Sequence, residues 1–331
     1  MTPDAASQTI IVHEFGGPEV LKWEDRPLPQ PGSRQVRVRV TMSGVNYADL
    51  LARQGKYGTQ KPPFTPGLDA VGVVDALGEG VLGLSVGQRV ACYPVGGGYA
   101  TYVLASATLC FPLPDGVTDE PAAALTMLAT AYGVLTSAGD LKRGETVLIH
   151  AAGGGVGHLA VQYARALGAG RIIGVVGSEA RAAFIRDLGV DDVIDRHHED
   201  FAARVSEITG GLGADVILDS VGGETAERGA EVLARFGRLV TYGHASGKAG
   251  QIPTAPLHRE CRAVIGYSNG TLRQHRPEVA RQTTLEALDY LKNGDLRVNI
   301  GARVPLADAA RAHEIVEAGS VDGKVLLAVQ D

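Results

Sequence analysis

A glycine-rich segment near the middle of the chain carries residue types that suit phosphate binding. Residues 150–157 read HAAGGGVG, at the end of the β-rich run ETVLIHA and at the start of a helical run from Val156. A dinucleotide pyrophosphate is held by backbone N–H groups and the positive end of a helix only where no Cβ blocks its approach. Gly154 and Gly157 match the last two glycines of G-x-G-x-x-G, with Ala152 at the first. The predicted dinucleotide contacts are Ala151, Gly154, Gly155, Val156 and Gly157.

The secondary structure on either side of this loop determines how specific the glycine motif is. The run after it has one apolar face at helical spacing, formed by Val156, Leu159, Ala160, Tyr163, Ala164 and Leu167. The alternative is a glycine-rich turn that binds no ligand. A strand before the loop and a helix after it favour the dinucleotide.

The end of the next strand, RIIGVVGSEAR, indicates which dinucleotide is bound. An acid about 20 residues after the loop would bind the adenosine ribose and repel a 2′-phosphate, but Val176 stands there. Ser178 and Arg181 follow, and Arg196 ends the run DDVIDR. Arginine binds phosphate in a bidentate manner, so this set predicts a pocket for NADP. The alternative is that the two arginines are solvated surface charges. Glu179, which lies between them in the sequence, also counts against a phosphate pocket because it is an acid.

Length and composition describe a globular α/β protein. The chain has 331 residues, which suffices for two domains with full cores. It contains 44 glycines and is 45% hydrophobic but only 5% aromatic, as in a turn-rich enzyme. The net charge of -6 argues against a nucleic-acid partner.

Cysteine usage and the N-terminal residues indicate where the protein works. Cys92, Cys110 and Cys261 are widely spaced, so they form neither a disulfide framework nor a four-cysteine zinc site. The N-terminal run MTPDAASQTIIVHEFGG offers no basic stretch followed by an apolar run, and no segment reaches the apolar length of a membrane span. We therefore expect a cytoplasmic protein without a membrane partner.

The order of the elements predicts two domains. About the first 125 residues contain short β-rich runs, such as QVRVRVTM and DAVGVVDAL, separated by turn signals. From Glu145 strands alternate with helices, which predicts a parallel sheet with helices on both faces. The last 65 or so residues contain a helix capped by Gly294, a second helix and the strand GKVLLAV. This last part is expected to return to the first domain.

The chain resembles the zinc-free quinone oxidoreductase branch of the medium-chain dehydrogenase/reductase superfamily, which includes zeta-crystallin. The matching motifs, from end to end, are GVNYADLLARQGKY, TPGLDAVGVV, GQRV, LTMLATAYGVL, HAAGGGVG, DSVGG, GHASG and GKVLL. The resemblance implies an α/β fold: a GroES-like, β-rich catalytic domain (1–124), a Rossmann NADP-binding domain with a doubly wound parallel sheet (125–265), and a C-terminal segment (266–331) that returns to the first. It also implies a homodimer.

The zinc-dependent relatives place a Cys, a His and a second Cys around a catalytic metal. The matching positions here are Asn46, Leu68 and Thr126, none of which is a usual zinc ligand. His197 and His198 are adjacent in a polar loop, and such neighbours usually face solvent. We therefore expect no metal.

The resemblance implies NADPH-dependent hydride transfer to a quinone. Such a site must stabilise the oxyanion that forms on the substrate, and Asn46 is the candidate donor, beside Asp49. A turn role for Asn46 is the alternative. Further candidates are Tyr47, Thr126 and Tyr267 at the substrate, and Thr130, Gly243, His244, Ser246 and Lys324 at the cofactor.

Tyr57 supports a second hypothesis. Enoyl reductases of the superfamily carry a tyrosine in a similar run, N-x-x-D followed by G-x-Y, which is regarded as the proton donor after hydride transfer. A phenol is protonated at neutral pH and can serve as this acid. The alternatives are therefore an enoyl or alkenal reductase in which Tyr57 is catalytic, or a substrate cleft that Tyr57 merely lines. A non-catalytic NADPH-binding structural or regulatory protein is the alternative of another class.

Overall fold

The computed structural model of the chain describes residues 6–329. Its first part contains strands β1 (Ala6–Val12), β2 (Leu21–Pro27), β3 (Gln35–Val45), β4 (Ala70–Leu77), β5 (Arg89–Val95) and β6 (Tyr102–Pro112). The helices of this part are α1 (Tyr47–Arg53), α2 (Asp119–Ala122) and α3 (Leu125–Gly133), and α3 runs into a π-helical turn, Val134–Ala138.

The middle of the chain alternates strands with helices. The elements are β7 (Thr146–Ile149), α4 (Gly155–Ala166), β8 (Arg171–Val176), α5 (Glu179–Arg186), β9 (Asp192–Asp195), α6 (Phe201–Ile208), β10 (Ala214–Asp219), α7 (Glu224–Glu231), β11 (Leu233–Thr241), α8 (Thr254–Glu260), β12 (Ala263–Gly266) and α9 (Asn269–His275). The last part contains α10 (Pro277–Asn293), β13 (Ile300–Pro305), α11 (Ala309–Ala318) and β14 (Lys324–Ala328).

The chain divides into two compact units. One contains the chain up to Met127 and from Arg273 onward, and the other contains Leu128–Leu272. In the residues that the structure describes, no helix is both long and apolar enough to cross a membrane.

The first unit is built on a six-stranded sheet that is parallel between β13 and β14 and antiparallel elsewhere. Its strand order is β13-β14-β3-β4-β5-β6, and β3 also pairs with β6, which closes the four strands β3 to β6 into a barrel. The alternation in QVRVRV turns Val36, Val38 and Val40 inward, against Val74 and Val90. Strand β14 pairs antiparallel with β3, so the C-terminal strands belong to this sheet.

The second unit is a parallel six-stranded sheet in the order β12-β11-β10-β7-β8-β9. The chain runs from β7 outward to β9 and then returns to β10 on the other side of β7. This reversal makes the carboxyl ends of β7 and β10 the topological switch point, where such sheets bind ligands. Strand β8 is buried from Ile172 to Val176, as expected where helices cover both faces. The predicted α/β fold class, a GroES-like unit with a Rossmann sheet, is confirmed.

Candidate active site

The glycine loop joins the carboxyl end of β7 to the N-terminus of α4. Gly154 is the N-cap of this helix and has no side chain that could cap it, so N–H groups of the first turn are left for a ligand. A Cβ on Gly157 would lie 2.3 Å from the carbonyl oxygen of Ala151, which shows how closely the helix meets the loop. Ala151 itself has a φ of +51°, in the left-handed region that strains an alanine. The close backbone contact at Gly157 and the left-handed conformation of Ala151 therefore fix the shape of the loop.

Two arginines lie near the glycine loop: Arg181 in the first turn of α5, which follows β8, and Arg196 directly after β9. The stem of Arg181 packs along the loop, since a Cβ on Gly153 would lie 3.1 Å from the Arg181 Cβ. The Arg196 guanidinium lies over Gly177, where an added Cβ would meet its Nη2 atom at 2.9 Å. Ser178 caps helix α5 by accepting from the Arg181 backbone N–H at 3.4 Å. Ser178, Arg181 and Arg196 thus lie at one edge of the sheet, as the phosphate-pocket hypothesis requires.

The acid that weakened this hypothesis has a partner elsewhere. Glu179 accepts from Arg186 Nη1 at 2.7 Å, about two turns along the same helix. The carboxyl end of β8 therefore presents Ser178 and the two arginines, with no carboxylate from Val176 or Gly177.

The other predicted cofactor residues of this unit follow β11. Gly243 packs on the turn after β10, since a Cβ there would lie 3.0 Å from the Ser220 carbonyl oxygen. His244 and Ser246 are exposed in this loop, and Ser246 Oγ accepts from the Lys248 backbone N–H at 3.2 Å. The loop lies at the same edge of the sheet as the glycine loop, because parallel strands end together.

A buried polar cluster follows strand β3 in the first unit. Asn46 is only 7% exposed, and its backbone N–H donates to Asp49 Oδ2 at 2.8 Å, which anchors the start of α1. Its amide Oδ1 accepts from Lys324 Nζ at 2.8 Å, and its Nδ2 donates to Asp69 Oδ1 at 3.0 Å. These two partners fix the orientation of the amide, because an ammonium only donates and a carboxylate accepts. The second N–H of Nδ2 points to the Gly44 carbonyl at the longer distance of 3.3 Å.

Asp69 is the centre of this cluster. Its Oδ2 accepts from the backbone N–H of Thr126 at 2.7 Å and lies 3.9 Å from Lys324 Nζ. Gly44 makes room for the lysine, since a Cβ there would lie 2.4 Å from the Lys324 Cε. Lys324 is 1% exposed, and burial lowers the pKa of its ammonium although Asp69 and then Asp49 oppose the effect. Lys324, predicted at the cofactor, lies in this cluster of the first unit.

Asp49 is a second buried carboxyl beside Asn46. Its Oδ1 accepts from the Gly67 backbone N–H at 3.1 Å, and its Oδ2 accepts from the Tyr99 hydroxyl at 3.3 Å. Burial raises the pKa of Asp49 to about 6, against the opposing effect of the hydrogen bond from Asn46.

The remaining predicted residues have varied surroundings. Tyr47 and Tyr57 are 48% and 38% exposed, and no hydrogen bond joins Tyr57 to Asn46 or Asp49 within residues 6–329. The Thr126 hydroxyl is buried with no hydrogen-bond partner among the residues described. Tyr267 is buried against α3, with its hydroxyl 3.5 Å from the Ala129 carbonyl, and Thr130 on the same helix is half-buried.

Comparison with known proteins identifies the family. A family model described as "Alcohol dehydrogenase GroES-like domain" matches residues 32–115, and one described as "Zinc-binding dehydrogenase" matches residues 155–288. The chain is 38% identical over 317 residues to a quinone oxidoreductase of Pseudomonas aeruginosa, a match that covers 95% of this chain and 97% of that protein. The chain belongs to the quinone oxidoreductase branch of the medium-chain dehydrogenase/reductase superfamily. It is therefore an oxidoreductase, and the resemblance seen in the sequence is confirmed.

Other members of the superfamily are similarly close. A 2-haloacrylate reductase of a Burkholderia species is 35% identical over 330 residues, which cover 97% of this chain and 98% of that protein. The crystal structure of the Escherichia coli quinone oxidoreductase complexed with NADPH matches with a TM-score of 0.89 and 33% identity, over 97% of this chain and 99% of that one.

The donor set of the first unit does not fit the zinc that one family description names. At the three matching positions, the Asn46 amide oxygen is bound to an ammonium, Leu68 is apolar, and Thr126 offers only a hydroxyl. No group of three or more His, Cys, Asp or Glu side chains suited to a metal occurs in the described part of the chain. His197 and His198 are exposed, and His198 Nδ1 hydrogen-bonds to Asp195 at 2.9 Å.

Sequence reasoning missed three members of the polar cluster and its surroundings. Asp69 lies in the motif TPGLDAVGVV, in which the match to the zinc-ligand positions points to its neighbour Leu68. Tyr99 and His313 are 214 residues apart, and nothing local marks them as partners. Helical spacing was the available signal for His313, which shares the buried face of α11 with Ala309 and Ala312.

Proposed function

We propose that this oxidoreductase reduces quinones with NADPH and needs no metal ion. The observation that carries the proposal is the Lys324–Asn46–Asp69 cluster, which holds a buried cation and an oriented amide, and in which Asn46 matches, by the resemblance, a metal-ligand position of the zinc-dependent relatives. When bound, NADPH supplies a hydride and its electron pair. The protein then has to bind the cofactor, orient the acceptor and stabilise the negative charge that develops on the acceptor oxygen.

NADPH fits the edge of the parallel sheet. The uncapped first turn of α4 and the close approach at Gly157 suit the pyrophosphate, as in other dinucleotide-binding sheets. Ser178, Arg181 and Arg196 would hold the 2′-phosphate, because they offer a hydroxyl and two cations there, while Glu179 pairs with Arg186. The relative from Escherichia coli was crystallised with this cofactor.

Asn46 is the group we assign to the acceptor oxygen. Its longer hydrogen bond, 3.3 Å to the Gly44 carbonyl, is the one that a substrate oxygen would replace. The other N–H stays on Asp69, and Lys324 keeps the amide from flipping. The buried ammonium also places positive charge near the oxygen that becomes negative, which stabilises the transition state.

Reduction of an activated alkene is the second candidate. Tyr57 is partly exposed just after α1 and has no hydrogen-bond partner among the described residues, so its hydroxyl is available as an acid. The Burkholderia relative is named for the reduction of such a compound.

Parallel turnover assays separate these functions. Oxidation of NADPH and NADH is followed with 1,4-benzoquinone, 9,10-phenanthrenequinone and a short trans-2-enone. We expect fast NADPH oxidation by the quinones and a clear preference over NADH. Turnover with the enone alone, lost in Tyr57→Phe, would replace quinone reduction by alkene reduction. Cofactor binding without turnover on any acceptor would contradict both and favour a non-catalytic role.

A further inference from the structure

A row of buried side chains connects helix α11 to Asp49. Arg53 Nη1 lies 3.2 Å from His313 Nδ1, and His313 Nε2 lies 3.1 Å from the Tyr99 hydroxyl. The Tyr99 hydroxyl is in turn 3.3 Å from Asp49 Oδ2. All four side chains are at most 2% exposed, so the row is shielded from water.

The chemistry of the first member gives this row a direction. A guanidinium has donors and no acceptor, so Arg53 must donate and His313 Nδ1 must accept. The ring proton of His313 is then on Nε2, from which it is donated to the Tyr99 oxygen. The Tyr99 hydroxyl, having accepted from His313, donates its own proton to Asp49. Burial, together with the nearby Arg53, lowers the pKa of His313 to about 3, which keeps the ring neutral.

Asp49 receives only donors in this arrangement. Besides Tyr99, the backbone N–H groups of Asn46 and Gly67 donate to it. Three donors suit the carboxylate and leave no acceptor for a carboxylic acid proton. A protonated Asp49 could donate only if the row reversed, and the Arg53 guanidinium blocks that reversal at His313.

Several titratable and charged side chains, from different elements of the first unit, face Asp49. Arg53 lies on the same helix, α1, and its buried guanidinium pairs with the partly exposed carboxylate of Glu317 on α11. Tyr99 and His313 face Asp49 through the row, and Asp69 and Lys324 contribute opposite charges from the polar cluster. Asp69 raises the pKa of Asp49 and Lys324 lowers it, while burial has the largest effect.

We propose that His313 and Tyr99 are positioning residues, which hold Asp49 as the anion that fixes Asn46 against the reacting oxygen. The inference rests on the proposed function, because it gives Asn46 its role at the substrate. The row itself, however, makes a prediction about stability that holds whether or not quinone is the substrate.

The kinetic test compares pH profiles of quinone reduction. The variants Tyr99→Phe and His313→Leu remove the row, while His313→Gln keeps one acceptor and one donor. Tyr93→Phe is the matched control, since it deletes an equally buried hydroxyl that bonds to Thr284 Oγ1 at 3.1 Å and does not reach Asp49. We expect the acid limb of kcat/KM to move up by about one pH unit in Tyr99→Phe and His313→Leu, because the carboxylate has lost a donor. His313→Gln should restore most of this shift, and Tyr93→Phe should show none.

The result that would overturn the proposal is an equal loss of kcat/KM at every pH in Tyr99→Phe, with an unmoved acid limb.

Thermal unfolding provides the independent test. The Tm deficit of Tyr99→Phe should shrink as the pH falls from about 8 to about 5, because a protonated Asp49 no longer needs the lost donor. The deficit of Tyr93→Phe should stay constant. A pH-independent deficit in Tyr99→Phe would overturn the row, whereas a pH-dependent deficit in a protein that reduces no quinone would overturn only the proposed function.

Discussion

Lys324 and Asn46, 278 positions apart in the sequence, are joined by a buried hydrogen bond of 2.8 Å from Nζ to Oδ1. The pairing of β14 with β3 places the lysine next to the end of β3, and Gly44 leaves space for its side chain. The bond turns the amide so that its N–H groups face Asp69 and Gly44. The same two residues thus determine the geometry and the charge of the proposed substrate site.

Replacing Lys324 by Met should destabilise the fold and reduce turnover. The variant leaves the Asp69 carboxylate buried without its cation, which costs about 3 kcal/mol of unfolding free energy. Urea unfolding measures this change, and Lys292→Met, at an exposed position on α10, is the control. Adding Asp69→Asn to Lys324→Met should recover about 1 kcal/mol or more, since it removes the unpaired charge. No recovery in the double variant would show that the two charges are not coupled.

Replacing Arg196 by Ala should weaken NADPH binding selectively. A charge-assisted hydrogen bond to the 2′-phosphate is expected to contribute about tenfold in affinity, so KM for NADPH should rise about tenfold while KM for NADH stays constant. Arg171→Ala removes an arginine at the start of β8, the opposite end of that strand from the proposed pocket, where it pairs with Asp192, and it should change neither value. Equal KM values for NADPH in the wild type and Arg196→Ala would mean that Arg196 is a solvated surface charge.

Replacing Gly157 by Ala should strongly weaken cofactor binding. The new Cβ would lie 2.3 Å from the Ala151 carbonyl oxygen and 2.7 Å from the Ala152 Cα, so the loop must move. We expect a loss of NADPH affinity of about 100-fold or more, measured by fluorescence titration. Gly266→Ala is the matched control, because nothing lies within 4 Å of its added Cβ. An unchanged affinity in Gly157→Ala would place the cofactor elsewhere.

His150, at the start of the glycine loop, should make stability depend on pH. It is buried against Phe201, and burial lowers its pKa to about 4 from the ordinary 6.5. Between these two values His150 is protonated in the unfolded chain and neutral in the folded chain. The free energy of unfolding therefore decreases as the pH falls from about 6.5 to about 4. His150→Leu should reduce this loss by about 2 kcal/mol in denaturant unfolding at the two pH values. His275→Leu, at an exposed position, should leave the loss as it is in the wild type.

The parts of the structure that follow from local patterns were predictable. The glycine loop, the alternation of strands and helices, and the C-cap of α10 at Gly294, with a φ of +76°, all depend on neighbouring residues. The four-residue strand β12, AVIG, was missed because it is short and none of its residues is fully buried. Contacts between distant segments could not be predicted from local patterns. Lys324 contacts Asn46, and His313 contacts Tyr99, only because β14 and α11 return to the first unit. No local spacing encodes such a meeting.

Quinone turnover by a chelator-treated sample of known zinc content tests metal-free reduction most directly. The proposed function predicts that NADPH-dependent quinone reduction continues at the untreated rate when the metal content is far below one ion per chain. Loss of turnover on chelation, with recovery on adding zinc, would contradict it and would mean that quinone reduction by this protein requires the metal.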